Sequence, residues 1–187
     1  MKVLYGHQIF TRQAYGGISR YFHEISQRIP NMGCDSTEIF APLHVNAYLT
    51  KNTRLARPSK PLEKFRGGAA ILGAIDIAIG LMRVRPRIDI DVYNSSYYAL
   101  IDYPPRRCLH VVTVYDMIHE LEPTSFSRHD ITVRLKRRSV SAADHVICIS
   151  ENTRKDLLNI TGIAAEKTSV IHLGHSLTSG ILPRRAG

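Results

Sequence analysis

Six short apolar runs separated by loops and by stretches of helical spacing constrain this chain more than any other feature. The runs are residues 2–5, 37–41, 88–94, 108–115, 145–149 and 168–174, each of strand length and bounded by turn-forming or polar residues. The run at 108–115 holds the β-branched series Val111-Val112-Thr113-Val114, the pattern of a parallel strand covered on both faces. Between runs the period changes. Ile18, Tyr21, Phe22 and Ile25 recur at helical spacing until Pro30, Asn31 and Gly33 end the helix. Residues 127–143 form a basic amphipathic pattern around Ile131, Val133, Leu135 and Val140. Ser150 opens a further helix running through Leu158, its hydroxyl set to accept from the Thr153 N–H as an N-cap. Strand–helix alternation of this kind predicts a doubly wound, Rossmann-like parallel sheet in a single α/β domain. That domain spans residues 1–177, with residues 178–187 as a tail.

A length of 187 residues suits one such domain. Its 25 Lys and Arg against 16 Asp and Glu give a net charge of +9, which favours anionic company: phosphorylated substrates, anionic lipid headgroups or nucleic acid. The basic segment Arg134-Leu135-Lys136-Arg137-Arg138 lacks aromatic stacking residues, so nucleic acid is not the expected partner. Cys34, Cys108 and Cys148 are odd in number and far apart, without zinc or dithiol spacing, and read as small apolar fillers. No apolar leader follows Met1, so a cytoplasmic location is expected, with peripheral contact at the inner face of an anionic membrane as its extension. The apolar stretch at 69–82 is shorter than the roughly 20 residues of a spanning helix and carries Asp76; a buried helix is expected there. Residues 50–66, basic and with Pro58 and Pro61, read as a loop or poorly fixed helix.

In an open parallel sheet, ligands gather beyond the carboxyl ends of the strands, so the residues just after each run are the candidates. After the first run, Tyr15-Gly16-Gly17-Ile18 places paired glycines directly before a helix, where backbone N–H groups and the helix dipole favour an anion. This is neither GxGxxG nor a Walker loop. After the third run, Asn94-Ser95-Ser96-Tyr97-Tyr98 is a polar and aromatic cluster of a sugar-binding kind. After the fourth, Tyr115-Asp116-Met117-Ile118-His119-Glu120 sets two carboxylates and an imidazole, with Asp116 suited to accept from a substrate hydroxyl and His119 to position or deprotonate one. The histidines are scattered, so no metal and no resident cofactor is expected.

Taken in order, five stretches resemble glycosyltransferase family 4, the retaining two-domain enzymes of the GT-B fold. They are residues 15–21, 92–98, 112–118, 142–153 and 170–174. The resemblance implies a nucleotide-sugar donor and a glycan or lipid-linked acceptor. It implies that Gly16 and Gly17 lie beside the donor phosphates, that the loop at Asn94 helps form the cleft, and that Tyr115 and Asp116 lie near the acceptor. With the residue readings above, the expected site has Asp116 and His119 in catalysis and Tyr15, Arg20, Asn94, Ser95, Tyr97, Tyr115 and Glu120 along the acceptor cleft. Tyr115 stands where many members have the His of a His-Asp pair, and Asn94 where many have His. A pair of Glu separated by seven residues, typical of the second, donor-holding domain, does not occur here. The expectation is therefore an N-terminal, acceptor-side half, inactive alone and complemented by a donor domain in trans. The competing expectation is a non-catalytic sugar-, membrane- or nucleic-acid-binding α/β module.

Overall fold

The computed structural model describes residues 1–33, 35–51, 60–61 and 68–174. The expected loop at 50–66 therefore falls largely outside the described residues, as do Cys34 and the tail at 178–187.

The chain opens with β1 (Lys2–Tyr5), turns through a polar loop and enters α1 (Gly17–Arg28). Helix α1 buries Ser19, Phe22 and Ser26 and gives way at Pro30 to a 3-10 turn ended by left-handed Gly33. There follow β2 (Ser36–Ile39), the short β3 (Leu43–His44), α2 (Ala47–Lys51), β4 (Lys60–Pro61) and α3 (Gly68–Arg83). The second half is regular: β5 (Val92–Ser95), β6 (Leu109–Val114), a one-turn α4 (Ile118–Leu121), α5 (Thr132–Ala142), β7 (His145–Cys148), α6 (Glu151–Thr161) and β8 (Thr168–Val170). At the start of α6, Ser150 Oγ accepts from Thr153 N at 3.1 Å, the expected cap.

Six strands form one sheet in the order β2-β1-β5-β6-β7-β8, all parallel. The doubly wound fold predicted from the alternation is present. Helix α1 carries the chain from β1 to β2 on one side, whereas every later crossover proceeds the other way, so right-handed connections put α1 on one face and α3 and α5 on the other. The side chains agree: Val3 and Tyr5 pack with Phe22 of α1, Leu4 and Tyr93 with Ile77 and Ile79 of α3, and Val112, Val114, Val146 and Cys148 with Leu135 and Val140 of α5. The strand order reverses between β1 and β5, the place where such sheets open a crevice.

Two expectations change. Strand β5 begins at Val92 rather than residue 88; the segment before it is tied to the sheet by side chains instead, Arg87 pairing with Glu38 of β2 at 2.9 Å and with Asp89 at 2.8 Å. Helix α3 is not a buried helix: Leu72, Asp76 and Gly80 point inward, while Ile71, Ile75, Leu81 and Met82 are exposed. The inward row is shaped by close approach, since a Cβ at Gly80 would stand 2.6 Å from the Tyr103 ring. The two described cysteines are free, and Cys148 is buried in the sheet with its thiol pushed up to about 11 by that burial. Among the described residues no helix is long and apolar enough to cross a membrane.

Candidate functional site

The loops after β1 and β5 flank the point where the strand order reverses, and buried polar contacts hold them together. Ser96 Oγ donates to Gly6 O at 2.7 Å and accepts from Ile9 N at 3.1 Å, while Gln8 Oε1 accepts from Ser96 N at 3.1 Å. Gln8 Nε2 donates to Asp102 Oδ1 at 2.7 Å, which also accepts from Ser95 Oγ at 2.9 Å. Ser95 in turn lies 2.8 Å from His110 Nε2. Burial pushes the Asp102 carboxyl up, and the nearby His110 and these donors pull it back. Groups buried and mutually satisfied in this way fix loop geometry strongly. Ser95, expected in the cleft, is thus fully buried beneath it as part of this support.

On the near side of the crevice, Gly16 caps α1 with extended backbone and no side chain supplies a capping bond. The first N–H groups of a helix have no partner within it, and the first turn carries no acid; the end of α1 therefore offers donors and positive potential to an anion. A Cβ at Gly17 would meet nothing within 4 Å, so the glycine keeps this end of the helix open. At Gly16 a Cβ would collide with the Gln13 side chain. Tyr15 is 70% exposed beside the loop, its ring edge-on to Tyr48 at 6.0 Å.

A cavity of about 490 Å³ runs from Gly17, Arg20 and Tyr21 of α1 to Tyr115 after β6 and to Leu173 and Gly174 after β8. Tyr115 is buried with its hydroxyl unpartnered, and burial together with Tyr21 raises its pKa well above the ordinary phenol value. Asn94 Oδ1 and Thr113 Oγ1 are likewise buried without a partner. The Tyr97 ring is tilted by 39° against that of Tyr98 with centroids 4.6 Å apart, and the Arg12 guanidinium lies 5.4 Å from the centre of the Tyr97 ring.

Asp116 follows Tyr115 just beyond β6, its side chain 46% exposed, with Oδ1 accepting from Ile118 N at 3.2 Å and lying 3.8 Å from Lys136 Nζ. The loop is anchored from below by Lys136, a lysine only 2% exposed whose ammonium donates to Asp116 O and to Glu120 Oε2, both at 2.8 Å. Glu120 is thereby tied in a buried ion pair rather than lining the cleft. His119 also turns away: its ring stacks on Phe126 at 3.8 Å, and Nε2 lies 3.4 Å from Asp130. His119, Glu120 and Lys136 line a second cavity of about 270 Å³ against α5 and α6. The expected residues are thus divided. Gly17, Arg20 and Tyr115 share one cavity, Asp116 is next to Tyr115 in the chain without lining that cavity, and His119 and Glu120 belong to another.

Sequence reading missed the support of Gln8, Asp102 and His110, as well as Arg12 and Lys136. The only signal of Lys136 was its place among four other basic or apolar residues, which reads as a solvated face. Among the described residues no group of three or more His, Cys, Asp or Glu is placed to hold a metal.

A model of Glycosyltransferase Family 4 matches residues 15–178. The chain belongs to this family. Two solved structures share its fold. Anabaena HepE, in a complex with UDP, superimposes with a TM-score of 0.57 at 19% identity, over 94% of this chain and 44% of its own. The lipopolysaccharide outer core galactosyltransferase WaaB, in its apo form, gives a TM-score of 0.56 at 14% identity, over 96% of this chain and 47% of its own. The chain thus spans less than half the length of either structure. No curated protein matches it.

Proposed function

We propose that this family 4 chain is the acceptor-side half of a retaining glycosyltransferase, which moves a sugar from a nucleotide-sugar donor to a glycan or lipid-linked acceptor. The observation that carries the reading is the uncapped start of α1 facing Tyr115 across a cavity at the carboxyl edge of the sheet. The Gly16-Gly17 amides receive the donor phosphates, as a helix start is suited to do. The UDP in the complex of Anabaena HepE supports a nucleoside diphosphate as the group bound.

Asp116 is the residue whose exposure and position suit an acceptor hydroxyl: its carboxylate accepts the hydroxyl hydrogen bond and orients the oxygen. Tyr97, Tyr115 and Asn94 supply the aromatic and polar walls against which a sugar ring packs. His119, engaged by Asp130 and Phe126, contributes from the neighbouring cavity by holding the loop of Asp116. The main grip on the donor comes from a second domain, docked in trans or carried on the same polypeptide.

Holding two reactants in register supplies roughly 7–11 kcal/mol of barrier lowering, so the 187-residue chain alone turns over below detection. The test is mass spectrometry of incubations with a panel of nucleotide sugars and of free or lipid-linked glycan acceptors. The chain alone gives no product, and adding a family 4 donor domain that docks on it gives product. Enzyme-dependent product from the chain alone overturns the half-enzyme reading.

A further inference from the structure

Helix α3 presents an apolar stripe to solvent that the core does not use. Ile71, Ile75 and Met82 are 56%, 41% and 69% exposed, with Ala74 and Ala78 between them, a run of roughly 16 Å along the helix. At its C-terminal end the stripe meets a groove of about 500 Å³ lined by Leu81, Arg85, Ile88, Arg106 and Arg107, together with Pro86 and Arg87. Ile88 is 85% exposed. Arg87 is neutralised by Glu38 and Asp89. Among the described residues Arg83, Arg85, Arg106 and Arg107 make no ion pair. The groove lies at the amino ends of β5 and β6, the edge of the sheet opposite the cleft.

An exposed apolar face bordered by unneutralised cations matches a surface that is itself apolar beneath and anionic above. We propose that α3 and its arginine groove dock this chain on an anionic lipid bilayer, the stripe entering the headgroup boundary and Arg85, Arg106 and Arg107 meeting lipid phosphates. Charge selects this occupant over a second copy of the chain. Residues 51–66, which precede α3, carry six Lys or Arg against the single Glu63. A second copy packed on the stripe would oppose one chain of net charge +9 to another. Nucleic acid would satisfy the arginines and leave Ile71, Ile75 and Met82 in water. The docking does not depend on glycosyl transfer, so it is tested without any turnover.

The sequence contains no Trp, so Met82→Trp makes a sole fluorescent reporter on the stripe, and Leu121→Trp, 56% exposed at native Leu121 on the carboxyl side, a control. With vesicles of phosphatidylglycerol and phosphatidylcholine, the Met82→Trp emission shifts to the blue and is quenched by brominated acyl chains, and the control does neither. Affinity falls about tenfold or more with Arg106→Gln/Arg107→Gln, with salt raised from about 0.05 M to about 0.5 M, or in pure phosphatidylcholine. Ile71→Ser/Ile75→Ser in the reporter background weakens binding comparably while circular dichroism is unchanged. The proposal is overturned by absence of the blue shift, by equal affinity for both vesicle types, by binding indifferent to the arginine variant, or by a vesicle-independent shift that tracks self-association.

Discussion

Asp76 is the single acid on α3 and lies fully buried. Its Oδ1 accepts from Leu43 N at 3.0 Å, and Oδ2 has no partner. Burial pushes the carboxyl from 3.8 up to about 7, with the Leu43 bond opposing. A raised carboxyl pKa means that the folded state holds the proton more tightly than the unfolded chain. Its contribution to stability is then fully present below pH 3.8 and is lost as pH rises to about 7. A difference of about three units, at 1.36 kcal/mol each, amounts to about 4 kcal/mol between those limits. Buried histidines act in the opposite sense: His7 is lowered to about 3 by burial and then by Arg12, so its contribution is present above 6.5 and lost on acidification towards 3. The wild-type profile mixes both, and the difference from Asp76→Asn isolates the acid, because Asn retains the acceptor for Leu43 N–H and cannot ionise. Urea unfolding of the two proteins across pH should give near-equal stability around pH 4 and an advantage for Asp76→Asn that grows to about 2–4 kcal/mol by pH 8. A pH-independent difference, or an Asn variant less stable at pH 8, would refute the reasoning.

Gly17→Val leaves the fold in place, because the new side chain enters open space. In a two-domain assembly with a donor domain it lowers turnover by about a hundredfold or more, since it intrudes where the phosphates approach; unchanged turnover would remove α1 from the site. Asp116→Asn changes stability by about 1 kcal/mol or less, as its half-exposed side chain retains the bond to Ile118 N and gives up only the 3.8 Å contact with Lys136, which keeps Glu120 at 2.8 Å, and reduces turnover in the same assembly far more; matched losses of stability and activity would make Asp116 structural. Lys136→Met strands Glu120 in a site where its side chain is 8% exposed, costing about 3–5 kcal/mol. Adding Glu120→Gln recovers much of that loss in urea titrations, and a double variant as unstable as the single would show that packing of the lysine stem, rather than charge, holds the loop.

The periodicity of the sequence determined the architecture. β-branched runs of strand length alternating with helical spacing have few alternatives to a parallel sheet with crossover helices, and Ser150 marked its helix start by the side chain it offers. The position of the glycine loop and of Asp116 at the carboxyl edge of the sheet was legible because every strand is parallel, which turns chain position into spatial position. What sequence could not supply is the direction in which a side chain points once its loop has closed. His119 and Glu120 stand three and four residues beyond Asp116, yet one turn of α4 swings them beneath the sheet edge, where Phe126, Asp130 and Lys136 take them up. Ser95 and Asn94 are neighbours on one strand and point to opposite faces, so one joins a buried network and the other faces the side covered by α1. Helix α3 shows the same limit, since an apolar segment does not specify how much of its circumference the core will cover. Composition and period fixed which elements form, through local sterics and the burial of apolar surface. Only the packing of those elements decided which polar groups meet and which apolar face is left to the solvent.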